Sequence, residues 1–447
     1  MKKFNEFHLI DEILHAIEDL GFEEASPIQE QTLPALIEEN IDIIALAQTG
    51  TGKTAAFGLP LLQKLSSSQD NNIQAIIISP TRELCMQLEE EITKYGKYLN
   101  HLHSVAVYGG APIRNQIRDI RKNKPQIIVA TPGRLMDLME KNIVQLNHVH
   151  TVILDEADEM LNMGFREDIE SILEEVPEQR NVWLFSATMN KDVRRIAKRF
   201  MNNPKEIAVA RENIGNENIH HQFYLVNHHQ RYDALKRLLD TVPDIYGIIF
   251  TRTKQDAQEV AEKLSREGYQ ASPLHGDMDQ TMRTKVMERF KKQYLQIIVA
   301  TDVAARGIDV NEISHVINYE LPEDPEVYTH RSGRTGRAGN TGLCWSLVTP
   351  RELGRLRQVE RTAKTKFEKS LIPSGEEIIK NKLDALKEQL IHSNLELSNK
   401  CIEEHEIIEE LKALPKDAII EKLLALYLKE TLDSYTKVPD LNINPKN

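Results

Sequence analysis

The sequence predicts an α/β protein: two tandem, doubly wound parallel-sheet domains followed by a small C-terminal helical segment. Three observations carry this prediction. A glycine-rich loop, AQTGTGKT at 47–54, sits between an apolar run and a helical pattern. Two short apolar runs of the first half, QAIIISPTR at 74–82 and QIIVATPGR at 126–134, return in the second half as GIIFTRT at 247–253 and QIIVATDVAARG at 296–307, in the same order and at nearly the same separation. Beyond Leu371 the apolar runs give way to a charged stretch rich in leucine and isoleucine. At 447 residues the chain is too long for one ordinary core and long enough for two with an appendage.

Each element follows from local pattern. Helical periodicity around 83–95 and 257–267 alternates with the apolar runs, as crossover helices between parallel strands require. Thr151–Leu154 is a short apolar run and reads as a buried strand. The first domain is placed at 1–208. Apolar periodicity is lost near 204–220, where RENIGNENIHH is polar, and this marks a hinge before a second domain at 218–368. Ile372-Pro373-Ser374-Gly375 breaks the pattern again. The last segment, 372–436, has apolar residues near helical spacing at Leu383, Leu386 and Leu390, at Ile407, Ile408 and Leu411, and at Ile419, Ile420, Leu423, Leu424 and Leu428. Pro415, Lys416 and Asp417 open its last helix.

Composition narrows the function. A hydrophobic content of 40% is that of a globular protein, and a net charge of −12 excludes a uniformly basic nucleic-acid coat. Any such partner must be held in a locally basic cleft. Cys85, Cys344 and Cys401 are far apart and lack zinc or redox spacing, so they read as buried small residues in a reducing compartment. The start, MKKFNEFHLIDEIL, is interrupted by Asn5, Glu6, Asp11 and Glu12 before any signal-length apolar stretch, and no later run is long enough to span a bilayer. The expectation is a cytoplasmic protein with no membrane partner.

The chemistry starts at the glycine loop. Gly50 and Gly52 let the backbone adopt positive φ and approach phosphates without a Cβ in the way, Lys53 reaches the β- and γ-phosphates, and Thr54 holds Mg²⁺. Ala47 stands where the common phosphate-loop pattern has glycine. Asp155-Glu156-Ala157-Asp158 follows the strand Thr151–Leu154, so its first two carboxylates emerge at a strand's carboxyl end, where ligands of open α/β sheets sit. One carboxylate there can hold Mg²⁺ and a second can orient the attacking water. The second half lacks such a loop but carries HRSGRTGRAG at 330–339, whose Arg334 and Arg337 suit stabilisation of charge on a transferring phosphoryl group. A closing arginine would couple ATP cleavage to domain motion.

In this order the motifs resemble those of the DEAD-box RNA helicases of superfamily 2, and of their bacterial cold-shock and ribosome-assembly type, from Phe4 to about Lys366. The resemblance implies RecA-like domains and ATP with Mg²⁺ as cofactors. GFEEASPIQ at 21–29 is similar to the family's adenine-recognition segment, implying that Gln29 bonds the adenine edge while Phe4 stacks near the ring; Ala25 replaces its usual proline. The loop implies nucleotide contacts from Gln48, Thr49, Gly50, Thr51, Gly52, Lys53 and Thr54. DEAD implies Asp155 on the metal with Thr54, and Glu156 activating water. Ser186 to Thr188, SAT, resembles the element that links hydrolysis to strand separation together with Asp158 and His330. Within ATDVAARGID, Asp309 matches the ribose-side contact, with Gly307 beside it, and Arg334 and Arg337 match the arginine fingers.

The same resemblance implies an RNA path over Pro80, Thr81 and Arg82, Gly109 and Gly110, Thr131, Pro132, Gly133 and Arg134, Arg252 and Thr253, His275, Gly276 and Gln280, and Thr301. Glycines permit close approach, threonine and backbone N–H groups bind phosphate oxygens, and arginines add charge without reading bases. Cys85 and Glu320 stand where the family has alanine and aspartate. The implied activity is RNA-stimulated ATP hydrolysis that bends and locally unwinds short RNA duplexes or remodels RNA–protein complexes without sequence preference. An ATP-dependent RNA clamp and a DNA translocase are the alternatives, separable by strand displacement and by comparing RNA with DNA as activator. The C-terminal segment, acidic and poor in aromatics, is expected either to cap the second domain or to form a homodimer.

Overall fold

A computed structural model describes residues 2–443 apart from 48–49, 69, 209–217, 243, 306–309, 311–312, 337–340, 393–409, 411–412 and 437. Two seven-stranded sheets are present, every strand pair parallel. The first holds β1 (Ile43–Leu46), β2 (Ala75–Ile78), β3 (Ser104–Val107), β4 (Ile127–Ala130), β5 (Thr151–Leu154), β6 (Asn181–Ser186) and β7 (Lys205–Ala208). The second holds β8 (Ile219–Leu225), β9 (Gly247–Thr251), β10 (Ala271–Leu274), β11 (Ile297–Thr301), β12 (His315–Asn318), β13 (Gly342–Val348) and β14 (Glu368–Ser370).

Their spatial orders are β3-β4-β2-β5-β6-β1-β7 and β10-β11-β9-β12-β13-β8-β14. Each strand of the second sheet thus occupies the place of the strand seven earlier in the chain. The echo in sequence is the echo in space: β2 and β4 are neighbours in one sheet, β9 and β11 in the other, with Ala75 opposite Ile127 and Gly247 opposite Ile297. These runs are apolar throughout because helices cover both faces of a parallel sheet. In the first sheet Ile43, Ala45, Trp183 and Phe185 enter one core while Ile44, Val182 and Leu184 enter the other, following the two-residue period of a strand. In the second, Ile249, Val299, Ile317 and Leu347 share one core.

The helices expected around 83–95 and 257–267 are Arg82–Tyr95 and Lys254–Arg266, each opened by a threonine cap, Thr81 or Thr253, whose hydroxyl accepts a backbone N–H. The C-terminal segment forms helices Gly375–His392 and Lys416–Tyr435, the latter preceded by Pro415. It packs against the second domain: Arg237 donates to Pro439 O at 2.8 Å, Lys236 Nζ donates to the Tyr435 hydroxyl at 3.1 Å, and that hydroxyl bonds Asp240. Most of the expected hinge and Cys401 lie outside the described residues, as do Gln48, Thr49, Gly307, Asp309 and Arg337.

Candidate functional site

All carboxyl ends of a parallel sheet lie along one edge, and the strand order decides which loops meet there. In the first sheet β5, β6 and β1 are adjacent, so the DEAD turn, the SAT turn and the glycine loop emerge side by side. Gly50 and Gly52 have φ of 79° and 87°, the left-handed region open to glycine. Gly52 caps the helix Lys53–Leu65, whose N-terminal N–H groups face the loop. A Cβ on Gly52 would collide with Gln29 Nε2. That amide donates to Gly52 O at 2.9 Å, while Gln29 Oε1 accepts from Ser26 N at 2.8 Å. Gln29 is therefore a strut of the phosphate loop, with one N–H and one lone pair still available for an adenine edge. Phe4 is buried with its ring centroid 6.3 Å from Phe7 and 5.9 Å from Phe22, and so fastens the N-terminal turn to the core.

Lys53 Nζ lies 3.8 Å from Asp155 Oδ1. Both side chains are buried, and among the described residues neither atom has a hydrogen-bond partner. Burial pushes the Asp155 carboxyl up, to about 6, and Glu156 adds to the rise while Lys53 opposes it. An ammonium and a carboxylate left without hydrogen bonds in a buried site are costly unless a ligand completes them. A phosphate fits the first and a divalent cation the second. Thr54, half-buried one residue after Lys53, adds a hydroxyl suited to the same cation. Among the described residues no group of three or more His, Cys, Asp or Glu side chains could hold a metal ion. That donor set suits Mg²⁺, which keeps waters and takes ligands from phosphates instead of from a protein cage.

Glu156 has φ 51° and ψ 49°, a left-handed conformation for a residue with a Cβ, and caps the helix Ala157–Asn162. Asp158 Oδ2 accepts from Thr188 N and Thr188 Oγ1, both at 2.9 Å, and Ser186 Oγ donates to Thr188 O at 2.8 Å. The SAT turn is thereby locked to the acidic helix.

The other half of this edge, β3-β4-β2, carries the turns expected to hold RNA. Arg82 follows β2 and stacks 4.6 Å over the Tyr108 ring. Gly109 N donates to Thr131 Oγ1 at 3.3 Å, and Arg134 donates to Gln116 Oε1 at 2.6 Å and Ala111 O at 3.1 Å. The turns containing Pro80-Thr81-Arg82, Gly109-Gly110 and Thr131-Pro132-Gly133-Arg134 thus form one cluster. Arg134 spends two donors inside it and is itself largely buried, so it shapes the cluster as well as charging it.

The second sheet repeats this division. Arg252 and Thr253 follow β9, His275 and Gly276 follow β10, and Thr301 ends β11, the three adjacent strands equivalent to β2, β3 and β4. Arg252 is half exposed and its backbone N–H donates to Glu320 Oε2 at 3.3 Å. His275 Nε2 lies 3.2 Å from Gln258 Oε1, and Gln280 begins the helix Gln280–Lys291. His330 lies in the helix Pro325–Ser332, and Arg334, just beyond it, is buried.

A DEAD/DEAH box helicase domain matches residues 26–196 and a helicase conserved C-terminal domain matches residues 230–339. The DEAD-box ATP-dependent RNA helicase CshA of Geobacillus kaustophilus (strain HTA426) is 43% identical over 447 residues, spanning 99% of this chain and 94% of the relative. The chain belongs to the DEAD-box helicase family. The Bacillus subtilis (strain 168) CshA is 44% identical over 427 residues, 94% of this chain and 85% of that one. Among solved structures, S. cerevisiae Dbp5 bound to RNA and ADP BeF3 is similar with a TM-score of 0.76 at 31% identity, covering 86% of this chain and 99% of that chain. Mss116 bound to ssRNA and UDP-BeF follows at 0.75 and 31%, covering 85% and 82%.

Within this DEAD-box chain the structure adds residues that the motifs did not single out. Arg331 is buried between His330 and Arg334. It donates to both Asp302 oxygens, at 2.5 and 2.8 Å, to Asn318 Oδ1 at 2.9 Å and to Glu320 O at 2.8 Å, with its guanidinium 4.9 Å over Phe250. It ties the arginine segment to the ends of β9, β11 and β12. Its signal was present as the unassigned arginine of HRSGRTGR, but its carboxylate partner is remote in sequence. Cys85 and Cys344 are buried and free, and burial pushes both thiols up, Cys344 to about 12.

Proposed function

We propose that this chain is an ATP-dependent RNA helicase that hydrolyses ATP to bend and locally open short RNA duplexes, gripping the sugar–phosphate backbone without reading bases. The observation that carries the reading is the buried Lys53 and Asp155 pair, whose facing atoms have no hydrogen-bond partner among the described residues, on the sheet edge that also carries the three turns proposed to face the RNA backbone. Lys53 and the backbone N–H groups of 50–54 hold the phosphates, and Gln29 reports adenine to the loop through Gly52. Thr54 and Asp155 are the residues that would hold Mg²⁺, which screens the phosphate charge when bound. Glu156 orients water for attack. Arg334 and Arg337 neutralise charge on the transferring phosphoryl group, and Asp309 with Gly307 contacts the ribose side. Asp158, Ser186, Thr188 and His330 connect hydrolysis to the RNA-holding turns.

RNA runs over Thr81, Arg82, Gly109, Gly110, Thr131 and Arg134 of the first domain and Arg252, Thr253, His275, Gly276, Gln280 and Thr301 of the second. ATP hydrolysis measured with single-stranded RNA and single-stranded DNA of one sequence tests the reading: stimulation by RNA alone, together with displacement of a short RNA strand, is expected. Equal stimulation by DNA, or RNA-stimulated hydrolysis without strand displacement, would overturn it.

Two finer points belong to the same reading. Unpaired buried thiols suit the reducing cytoplasm, and among the described residues no helix is long and apolar enough to cross a membrane. Exposed Leu423, Leu426 and Tyr427 on the helix Lys416–Tyr435 are where a second copy would dock. Sedimentation at micromolar concentration should show a dimer that is lost on removing the residues after Leu371; a monomer in both cases removes the dimer.

A further inference from the structure

Apart from Gln116, which braces Arg134, the helix Ile113–Asn123 has no part in the roles above, yet its exposed surface is basic in a chain of net charge −12. Arg114, Arg118, Arg121 and Lys122 face one acid on the same helix, Asp119. Their spacing of four, seven and eight residues from Arg114 sets them on one stripe, about 12 Å long at the helical rise. With Ile117 they line a shallow depression of ≈ 560 Å³. Gln116 and Ile120 point the opposite way into the protein. Arg118 makes a weak exposed pair with Asp119, at 3.4 Å, and among the described residues Arg114, Arg121 and Lys122 have no carboxylate partner. Like charges four residues apart destabilise a helix. Asp119 offsets part of that repulsion, and Arg121 and Lys122 lie in the last turn where the helix dipole favours cations, but four basic side chains against one acid leave a net positive stripe that a polyanion would neutralise.

The helix is pinned to the candidate RNA path. Gln116 Nε2 donates to Tyr108 O at 3.1 Å, next to Gly109, and Gln116 Oε1 accepts from Arg134 at 2.6 Å. Those bonds hold the buried face; the stripe meets the cluster at the helix N-terminus, where Arg114 follows Gly109-Gly110 and the Ala111 carbonyl that accepts from Arg134. We propose that Arg114, Arg118, Arg121 and Lys122 hold the sugar–phosphate backbone of RNA that continues beyond the strand gripped by Gly109, Gly110 and Arg134. This rests on the RNA-binding reading above and extends it from a short strand to the flanking RNA. Exposed arginines and a lysine along one helix face meet phosphates as charges and read no bases.

The test uses the full chain and its Arg114→Gln/Arg118→Gln/Arg121→Gln variant, with glutamine keeping helix propensity. Affinity is measured against salt for a short unpaired RNA that spans only the path, for that RNA with an unpaired tail, and for that RNA with a flanking duplex. The short RNA should bind both proteins equally. The extended RNA should bind the unaltered chain more tightly, and the variant should lose about tenfold or more of that affinity, with the log–log salt slope reduced by about 2 to 3 for three lost phosphate contacts. Whether the tail or the duplex shows the loss identifies which RNA form occupies the stripe. The triple lysine variant should bind as the unaltered chain does, because charge alone is needed. Equal affinity of variant and unaltered chain for every extended RNA, or an equal loss on the short one, overturns the stripe while leaving the helicase reading intact; absence of RNA binding by the unaltered chain overturns both.

Discussion

At the scale of single residues, the nucleotide site is built from groups held in states they would not choose alone. Glu156 keeps a left-handed backbone and Asp155 a raised pKa, and Lys53 is buried without a hydrogen bond to any described residue. Such departures concentrate where a ligand completes the site. Lys53→Ala should weaken nucleotide binding by at least tenfold in equilibrium titration, since it removes the buried cation proposed to face the phosphates and leaves Asp155 unopposed. Glu156→Gln should retain nucleotide and RNA affinity while single-turnover hydrolysis falls by roughly 10²-fold or more, the loss typical of a missing general base. Full turnover by this variant would remove Glu156 from its role.

At the scale of elements, two buried polar devices hold the second domain together. Arg331 spans three strand ends, so Arg331→Ala should cost on the order of 3 kcal/mol in urea unfolding, because Asp302 and Asn318 lose their charged partner. Arg331→Lys should restore only part, lacking the bidentate fork. His221 and His315 are the second device. Burial depresses both, to about 4, with His221 Nδ1 2.7 Å from the Tyr328 hydroxyl and His315 Nδ1 2.8 Å from Ser314 Oγ. The unfolded chain, titrating near the usual 6.5, binds protons that the folded domain refuses. Their contribution is therefore full above pH 6.5 and is lost as pH falls toward 4, by about 2 kcal/mol per histidine at pH 5. Thermal unfolding at pH 7 and pH 5 should show the drop, and His221→Gln with His315→Gln should flatten it.

At the scale of the whole molecule, one strand order used twice makes two edges of the same plan, each with the turns proposed to hold RNA on three adjacent strands. The C-terminal segment is bound to the second of these domains through Asp240. Burial would raise the Asp240 carboxyl, but Lys236 and the Tyr269 and Tyr435 hydroxyls hold it below its usual value. Tyr435→Phe should destabilise the second domain by about 1–3 kcal/mol, the worth of a hydrogen bond to a charged group. Nucleotide affinity should not change. Calorimetry of the variant beside a nucleotide titration would check both halves of that expectation.

The sequence by itself determined the layered α/β plan, because fully apolar strands admit only a sheet covered on both faces, and the repeated runs at 74–134 and 247–307 matched strand for strand. It also marked the glycine loop and the DEAD carboxylates, since phosphate and metal chemistry demands those residue types in sequence-local spacing, whereas the SAT turn was marked only by the family resemblance. Tertiary structure alone decided that Gln29 braces Gly52, that Arg331 finds Asp302 and that Gln116 joins a basic helix to Arg134. Each of these links residues remote along the chain whose types are common. Only the strand order brings them within hydrogen-bond reach, and hydrogen bonds are satisfied in space and leave no periodic trace in sequence.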